Sequence, residues 1–113
     1  MSTRARRSYR VAPVARVGGS VGVPGDKSIS HRALLLGAIG EGTTHITGFL
    51  DSADCRATLS ALQALGVRIE QPGAHTIVVH GAGSAGLRAS ATALDMGNAG
   101  TAMRLFMGLL CGQ

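Results

Sequence analysis

The run Ala33-Leu34-Leu35-Leu36-Gly37-Ala38-Ile39 follows directly on Lys27, Ser28, Ser30, His31 and Arg32. A helix that is apolar on every side has to be buried, so Ser28 to about Ile39 predicts a buried helix whose polar residues are confined to its first turns. An arginine at the root of such a helix needs a partner, because an unpaired charge out of water is costly. That partner is either a carboxylate, with Asp26, Asp51, Asp54 and Asp95 as candidates, or a ligand anion drawn to the free N–H groups and positive dipole end of the helix. Ser28, His31 and Arg32 stand at i, i+3 and i+4 and are expected to share a face, with Lys27 at its mouth. Ammonium, hydroxyl and guanidinium together make a grip for phosphate or carboxylate.

The remaining pattern alternates short strands with helices. Tyr9 to Val17, interrupted by Pro13, predicts a short edge strand or an extended lead-in. Gly40 and Gly42 end the first helix. Thr43 to Leu50 suits a strand, and Ser52 caps a second helix running through Leu65, with Cys55, Leu59, Leu62 and Leu65 at helical spacing. Val67 to Glu70 and His75 to His80 predict a hairpin turning over Gln71-Pro72-Gly73-Ala74. A third helix, apolar beyond its first turn, starts near Thr101 and reaches Cys111. Arg32-Ala-Leu-Leu-Leu-Gly37 is echoed in Arg104-Leu-Phe-Met-Gly108, as if a second structural repeat were beginning. The outline is β-α-β-α-β-β followed by the start of another unit, an α/β chain of at most one domain at 113 residues.

The formal charge of +5 suggests nucleic acid until it is mapped. Arg4, Arg6, Arg7, Arg10 and Arg16 supply all of it, and from Val17 onward six basic residues balance six acidic ones. With only Tyr9, Phe49 and Phe106 as aromatics, this neutral body offers neither a basic stripe nor stacking platforms, so no nucleic-acid partner is expected. The arginine arm, residues 1–10, lacks the apolar stretch of a targeting peptide and is expected to be a mobile basic tail. No run approaches the about 18 apolar residues of a membrane span, and Cys55 and Cys111 suit small buried hydrophobes in a reducing compartment. A soluble cytoplasmic protein with no membrane partner is expected.

Other chemistries fit poorly. A phosphate-binding Walker loop needs Gly-Lys-Ser in succession, but Asp26 separates Gly25 from Lys27. Gly81-Ala82-Gly83-Ser84-Ala85-Gly86 matches the dinucleotide fingerprint, yet no acidic residue lies about 20 positions on and no helix begins at once, so a loop is expected. Among His31, His45, His75 and His80, none pairs with a carboxylate at ligand spacing, and His75 and His80 are expected on opposite faces of a strand. No metal is expected, and His31 suits a structural polar role at least as well as a catalytic one.

Pro24-Gly25-Asp26-Lys27-Ser28-Ile29-Ser30-His31-Arg32-Ala33-Leu34-Leu35-Leu36, then Gly48-Phe49-Leu50-Asp51-Ser52-Ala53-Asp54-Cys55, then Gly97-Asn98-Ala99-Gly100-Thr101-Ala102-Met103-Arg104 occur in this order. From about Val17 onward the chain resembles the opening portion of the 3-phosphoshikimate 1-carboxyvinyltransferase (EPSP synthase) family. The resemblance implies a two-domain fold of βαβαββ units, of which the first unit and the start of the second are present. It also implies that residues 11–24 belong to a domain completed by a C-terminal half, and that residues 25–113 are an incomplete substrate-binding domain. By the same resemblance, shikimate 3-phosphate and phosphoenolpyruvate bind in a cleft between the domains. Lys27 would contact both and act in catalysis, Ser28 and Arg32 would hold shikimate 3-phosphate, and Gly100 would line the phosphoenolpyruvate pocket, where the inhibitor glyphosate also sits.

The implied reaction adds the shikimate 5-hydroxyl to C2 of phosphoenolpyruvate and then eliminates phosphate, with no metal or organic cofactor. The family's acid and base carboxylates fall beyond Gln113, so this chain alone is expected to be inactive and the full-length enzyme monomeric. The related UDP-N-acetylglucosamine enolpyruvyl transferases fit less well, because Lys27 is followed by Ser-Ile-Ser-His-Arg rather than by an asparagine-containing apolar run. A stand-alone anion-binding module is the alternative from a different class.

Overall fold

The computed structural model describes residues 7–113. Six elements follow one another: α1 (Lys27–Ile39), β1 (Thr43–Thr47), α2 (Ala53–Ala64), β2 (Arg68–Gly73), β3 (Thr76–His80) and α3 (Gly100–Cys111). The first six residues of the basic tail lie outside the described part. Residues 7–26 form neither helix nor strand. The strand alternative for Tyr9–Val17 is therefore not met. Backbone N–H and C=O groups form a strand only against a neighbour, and the sheet is built without this segment. Tyr9, Val11, Val17 and Val21 are all exposed.

The sheet has the order β1-β3-β2, with both pairings antiparallel. Central β3 carries Ile77 and Val79, fully buried at alternate positions as a strand with one covered face requires. Helix α1 packs against β3 and β1, and α2 packs against α1 and β2. Leu34, Ala38, Cys55, Leu62, Val67 and Phe49 complete the core between the layers. Phe106 and Ala102 bring α3 into the same cluster.

Helix α2 shows how local sequence sets the boundaries. The Ser52 hydroxyl accepts the Cys55 N–H at its start, worth about 1 kcal/mol at such a position. At its end, Gly66 adopts φ +89°, while the Gly66 N–H bonds Gln63 O and the Val67 N–H bonds Leu62 O, each at 3.0 Å. This paired closure needs the left-handed residue that glycine supplies.

Three expectations are corrected. The hairpin turns at Ala74-His75 rather than over residues 71–74, because β2 continues through Pro72 and Gly73 with a bulge after Glu70. Pro72 is tolerated there because β2 is an edge strand, where a missing ladder donor is harmless. Helix α1 is not covered on every side: Ile29 and Leu36, seven residues apart and so on one stripe, are 65% and 66% exposed. Cys111 is exposed, whereas Cys55 is buried. The Gly81–Gly86 passage is a loop, as expected, and no helix among the described residues is long and apolar enough to cross a membrane.

Candidate functional site

The N-terminus of α1 is held by its own sequence. Asp26 is the N-cap, its Oδ1 accepting the Ile29 N–H at 2.8 Å. Buried Ser30 donates to Asp26 O at 2.7 Å and accepts the Leu50 N–H at 3.1 Å, tying the helix start to the segment after β1. Gly25 allows this approach. A Cβ at Gly25 would stand 1.9 Å from Gly48 O, so any side chain would force the two backbones apart.

Helices α1 and α2 are joined by two rungs. Lys27 Nζ lies 3.3 Å from Asp54 Oδ2, and one turn further along both helices His31 Nδ1 lies 2.8 Å from Thr58 Oγ1. Because partner numbers rise together, the helices run parallel, with their N-termini at one end. The outer rung is partly solvated, the Lys27 side chain being 52% exposed, and an ion pair of that kind is worth at most about 1 kcal/mol. A ligand bearing more negative charge can therefore draw the ammonium away. The inner rung is fully buried. Burial pushes the His31 imidazole below its ordinary pKa, Asp54 pulls it back up and Lys27 adds to the depression. The ring is accordingly neutral near pH 7.

His31 thus does not share an accessible face with Ser28 and Arg32. Successive helical residues are separated by about 100°, which turns His31 into the α1–α2 seam and leaves Arg32 outside. Arg32 is exposed and Ser28 half-buried. The four aspartates that could have answered Arg32 within the protein are committed elsewhere. Asp26 caps α1 and Asp54 meets Lys27. Asp51 forms a two-point pair with Arg56 at 2.5 and 2.6 Å, a bond that holds the carboxyl below its usual pKa range. Asp95 accepts the Gly97 N–H. Among the described residues no carboxylate pairs with Arg32 or Arg104.

Gly100 opens α3, whose N-cap, Ala99, provides no side-chain hydrogen bond and whose first turn holds no acidic residue. The first N–H groups of α3 therefore lack the side-chain acceptor that α1 finds in Asp26. A concavity of about 200 Å³ lies there, lined by Met96, Gly97, Asn98, Ala99, Gly100 and Met103. A Cβ on Gly100 would meet only Arg104 Nη1, at 3.6 Å, so close helix packing does not explain the glycine. The structure gathers Lys27, Ser28 and Arg32 at the head of α1, but α1 makes its main packing contacts with α2, β3 and β1 and not with α3.

Asp54 and Asn98 were not singled out as site residues by sequence reasoning. Asn98 sits in the Gly97-Asn98-Ala99-Gly100 run directly before a helix, which is a usable signal. The pairing of Asp54 with Lys27 depends on how α2 packs, which no local pattern carries. No cluster of three metal-binding side chains occurs among the described residues. His75 Nδ1 donates to Phe49 O at 2.9 Å, and His80 pairs with Glu70, whose pKa is lowered by that bond and by Arg68.

Comparison with known proteins gives a consistent result. A family model described as EPSP synthase (3-phosphoshikimate 1-carboxyvinyltransferase) matches residues 11–113. The chain is 52% identical over 105 residues to a 3-phosphoshikimate 1-carboxyvinyltransferase of Hydrogenovibrio crunogenus, covering 93% of this chain and 24% of the relative. It is 55% identical, with the same coverage, to that of Halorhodospira halophila. The solved structure of EPSP synthase from Acinetobacter baumannii superposes with a TM-score of 0.77 at 55% identity, over 81% of this chain and 21% of the other. The chain thus spans about a quarter of the length of these curated relatives. With motifs, α/β fold and family match all in agreement, the chain belongs to the EPSP synthase family.

Proposed function

We propose that this chain supplies the shikimate 3-phosphate grip of an enolpyruvyl transferase, which moves the enolpyruvyl group of phosphoenolpyruvate to the 5-hydroxyl of shikimate 3-phosphate and releases phosphate. The observation that carries this reading is the state of Arg32: exposed at the head of a helix with no acidic residue in its first turn, and with all four candidate aspartates engaged by other groups. A guanidinium fork so placed is matched to the oxygens of a phosphate. Ser28 adds a hydroxyl one turn before it. Lys27, released from its weak pair with Asp54, carries a compact charge able to lie between two anionic substrates and to stabilise charge as it shifts during addition and elimination. Gly100 belongs to the phosphoenolpyruvate side, where an unobstructed backbone lets an anion approach. In this reading residues 11–24 serve a neighbouring domain, residues 25–113 belong to the substrate domain, and the enzyme works in the cytoplasm as a monomer without a cofactor.

The test is binding and turnover in a chimera that joins residues 11–113 to the remainder of the Acinetobacter baumannii enzyme. Arg32→Ala should abolish tight shikimate 3-phosphate binding by calorimetry while leaving the fold intact. Unchanged affinity would end the assignment. The chain by itself should show no phosphate release above a Lys27→Ala control, because one wall of a cleft cannot surround its reactants or exclude water.

A further inference from the structure

We propose that His31 and Thr58 are positioning residues for Lys27, acting through Asp54. The proposal rests on the reading of Lys27 as the group that meets the substrates. Its basis is the arrangement of the two rungs. Lys27 and His31 lie one turn apart on α1, Asp54 and Thr58 one turn apart on α2, and the pairs join at 3.3 and 2.8 Å. The helices are parallel, so the inner bond sets their axial register. A slip of one residue moves a helix by about 1.5 Å, enough to separate Asp54 from the ammonium. His31 and Thr58 are both fully buried, whereas Lys27 and Asp54 are partly solvated. The inner rung is thus the fixed reference and the outer rung the adjustable one. Cys55, whose Sγ lies 3.9 Å from Lys27 O, holds the same seam.

Packing alone does not account for an imidazole here. Nε2 of His31 is buried and has no hydrogen-bond partner among the described residues, so in either neutral tautomer one ring nitrogen goes unsatisfied there, which costs stability. A leucine would fill comparable space without that penalty. What the ring adds is the bond from Nδ1 to Thr58 and the alignment that follows from it.

In the chimera with the Acinetobacter baumannii enzyme, ε-13C-lysine labelling reports the position of Lys27 directly, its resonance being the one lost in a Lys27→Arg control. Thr58→Val keeps the shape and removes the hydroxyl. It should move the Lys27 resonance toward that of an unstructured lysine and weaken shikimate 3-phosphate binding, followed on the same resonance, by roughly three- to tenfold. Thr58→Ser should restore both. A resonance and an affinity unchanged in Thr58→Val, with only the melting temperature lowered, would reduce the rung to a structural bond and overturn the proposal. If the wild-type resonance does not respond to shikimate 3-phosphate, the substrate reading of Lys27 fails, while its displacement in Thr58→Val still decides the positioning claim. Should Thr58→Val not fold, His31→Asn serves instead. Its amide reaches toward Thr58 from near the Nδ1 position and should leave the Lys27 resonance in place, and displacement there would count against the proposal.

Discussion

The heads of α1 and α3 are built in opposite ways. The first is capped by Asp26, tied through Ser30 to the segment after β1 and locked to α2 by two rungs. The second starts after Ala99 with no side-chain cap, and beside it lies an open concavity. In the proposed reading side chains do the holding at α1, where their geometry is set in advance, and backbone does it at α3, where the absence of a side chain leaves room. Loss of a group should hurt binding or catalysis at the first head, and addition of a group should hurt it at the second.

Four substitutions can break that contrast. The largest effect is expected from Lys27→Met in the chimera with the Acinetobacter baumannii enzyme, with turnover falling by about 10²–10³-fold, the scale for removal of a charge-stabilising group. Steady-state phosphate release checks it, and a fall under about tenfold would show that the ammonium is not used in the chemical step. Arg32→Ala comes next and should weaken shikimate 3-phosphate binding by roughly 30-fold or more, with turnover at saturation less affected. Asp26→Ala should cost about 1 kcal/mol by urea titration through loss of the cap. The second head offers no equivalent residue to remove. Gly100→Ala is the smallest in stability, since its methyl meets only the movable Arg104 side chain. The melting temperature should stay within about 1 °C, while the glyphosate inhibition constant rises more than the KM for phosphoenolpyruvate. Equal rises in both constants, or a change in melting alone, would refute the pocket assignment.

The buried rung also gives α1 a pH signature. His31 has its pKa lowered in the folded chain from an ordinary 6.5, so below about that pH the unfolded state binds more protons than the folded one. Stability should then decline as pH drops from 6.5, and this part of the decline should level off below the folded-state pKa. The lowered values of Asp51 and Glu70 act in the same direction at lower pH, as their carboxylates become protonated. Melting curves from pH 7.5 to 5 should show the histidine component in wild type and lose it in His31→Asn.

Much of this architecture was legible beforehand because its signals are local. Ser52 before an apolar periodicity marked α2, and the leucine run marked α1. Asp26 was legible too, standing immediately before the first helical residue, but the sequence reading takes it as a candidate partner for the arginine and as the residue that spoils a Walker loop, not as a cap. The β2 extension through Pro72 was hidden because edge or centre is a property of the sheet and not of the strand. The burial of His31 could have been read from helical phase, since it lies about 100° from Arg32. The Lys27–Asp54 and His31–Thr58 rungs could not, because both depend on the parallel packing of two helices separated by a strand. The family motifs named Lys27, Ser28, Arg32 and Gly100 as a set, of which the first three lie on the head of α1 and Gly100 opens α3.

The contact between Gly25 and Gly48 has a practical consequence for anyone splicing this chain to another protein. Upstream of Val23 the described side chains are exposed, and a foreign sequence could replace them without touching the α/β body. At Gly25 the freedom ends, because the backbones of two separate loops meet with no room for even a methyl group. A graft junction placed before Val23 should leave the anion grip undisturbed, while one that brings any side chain to position 25 would pry the head of α1 from the sheet.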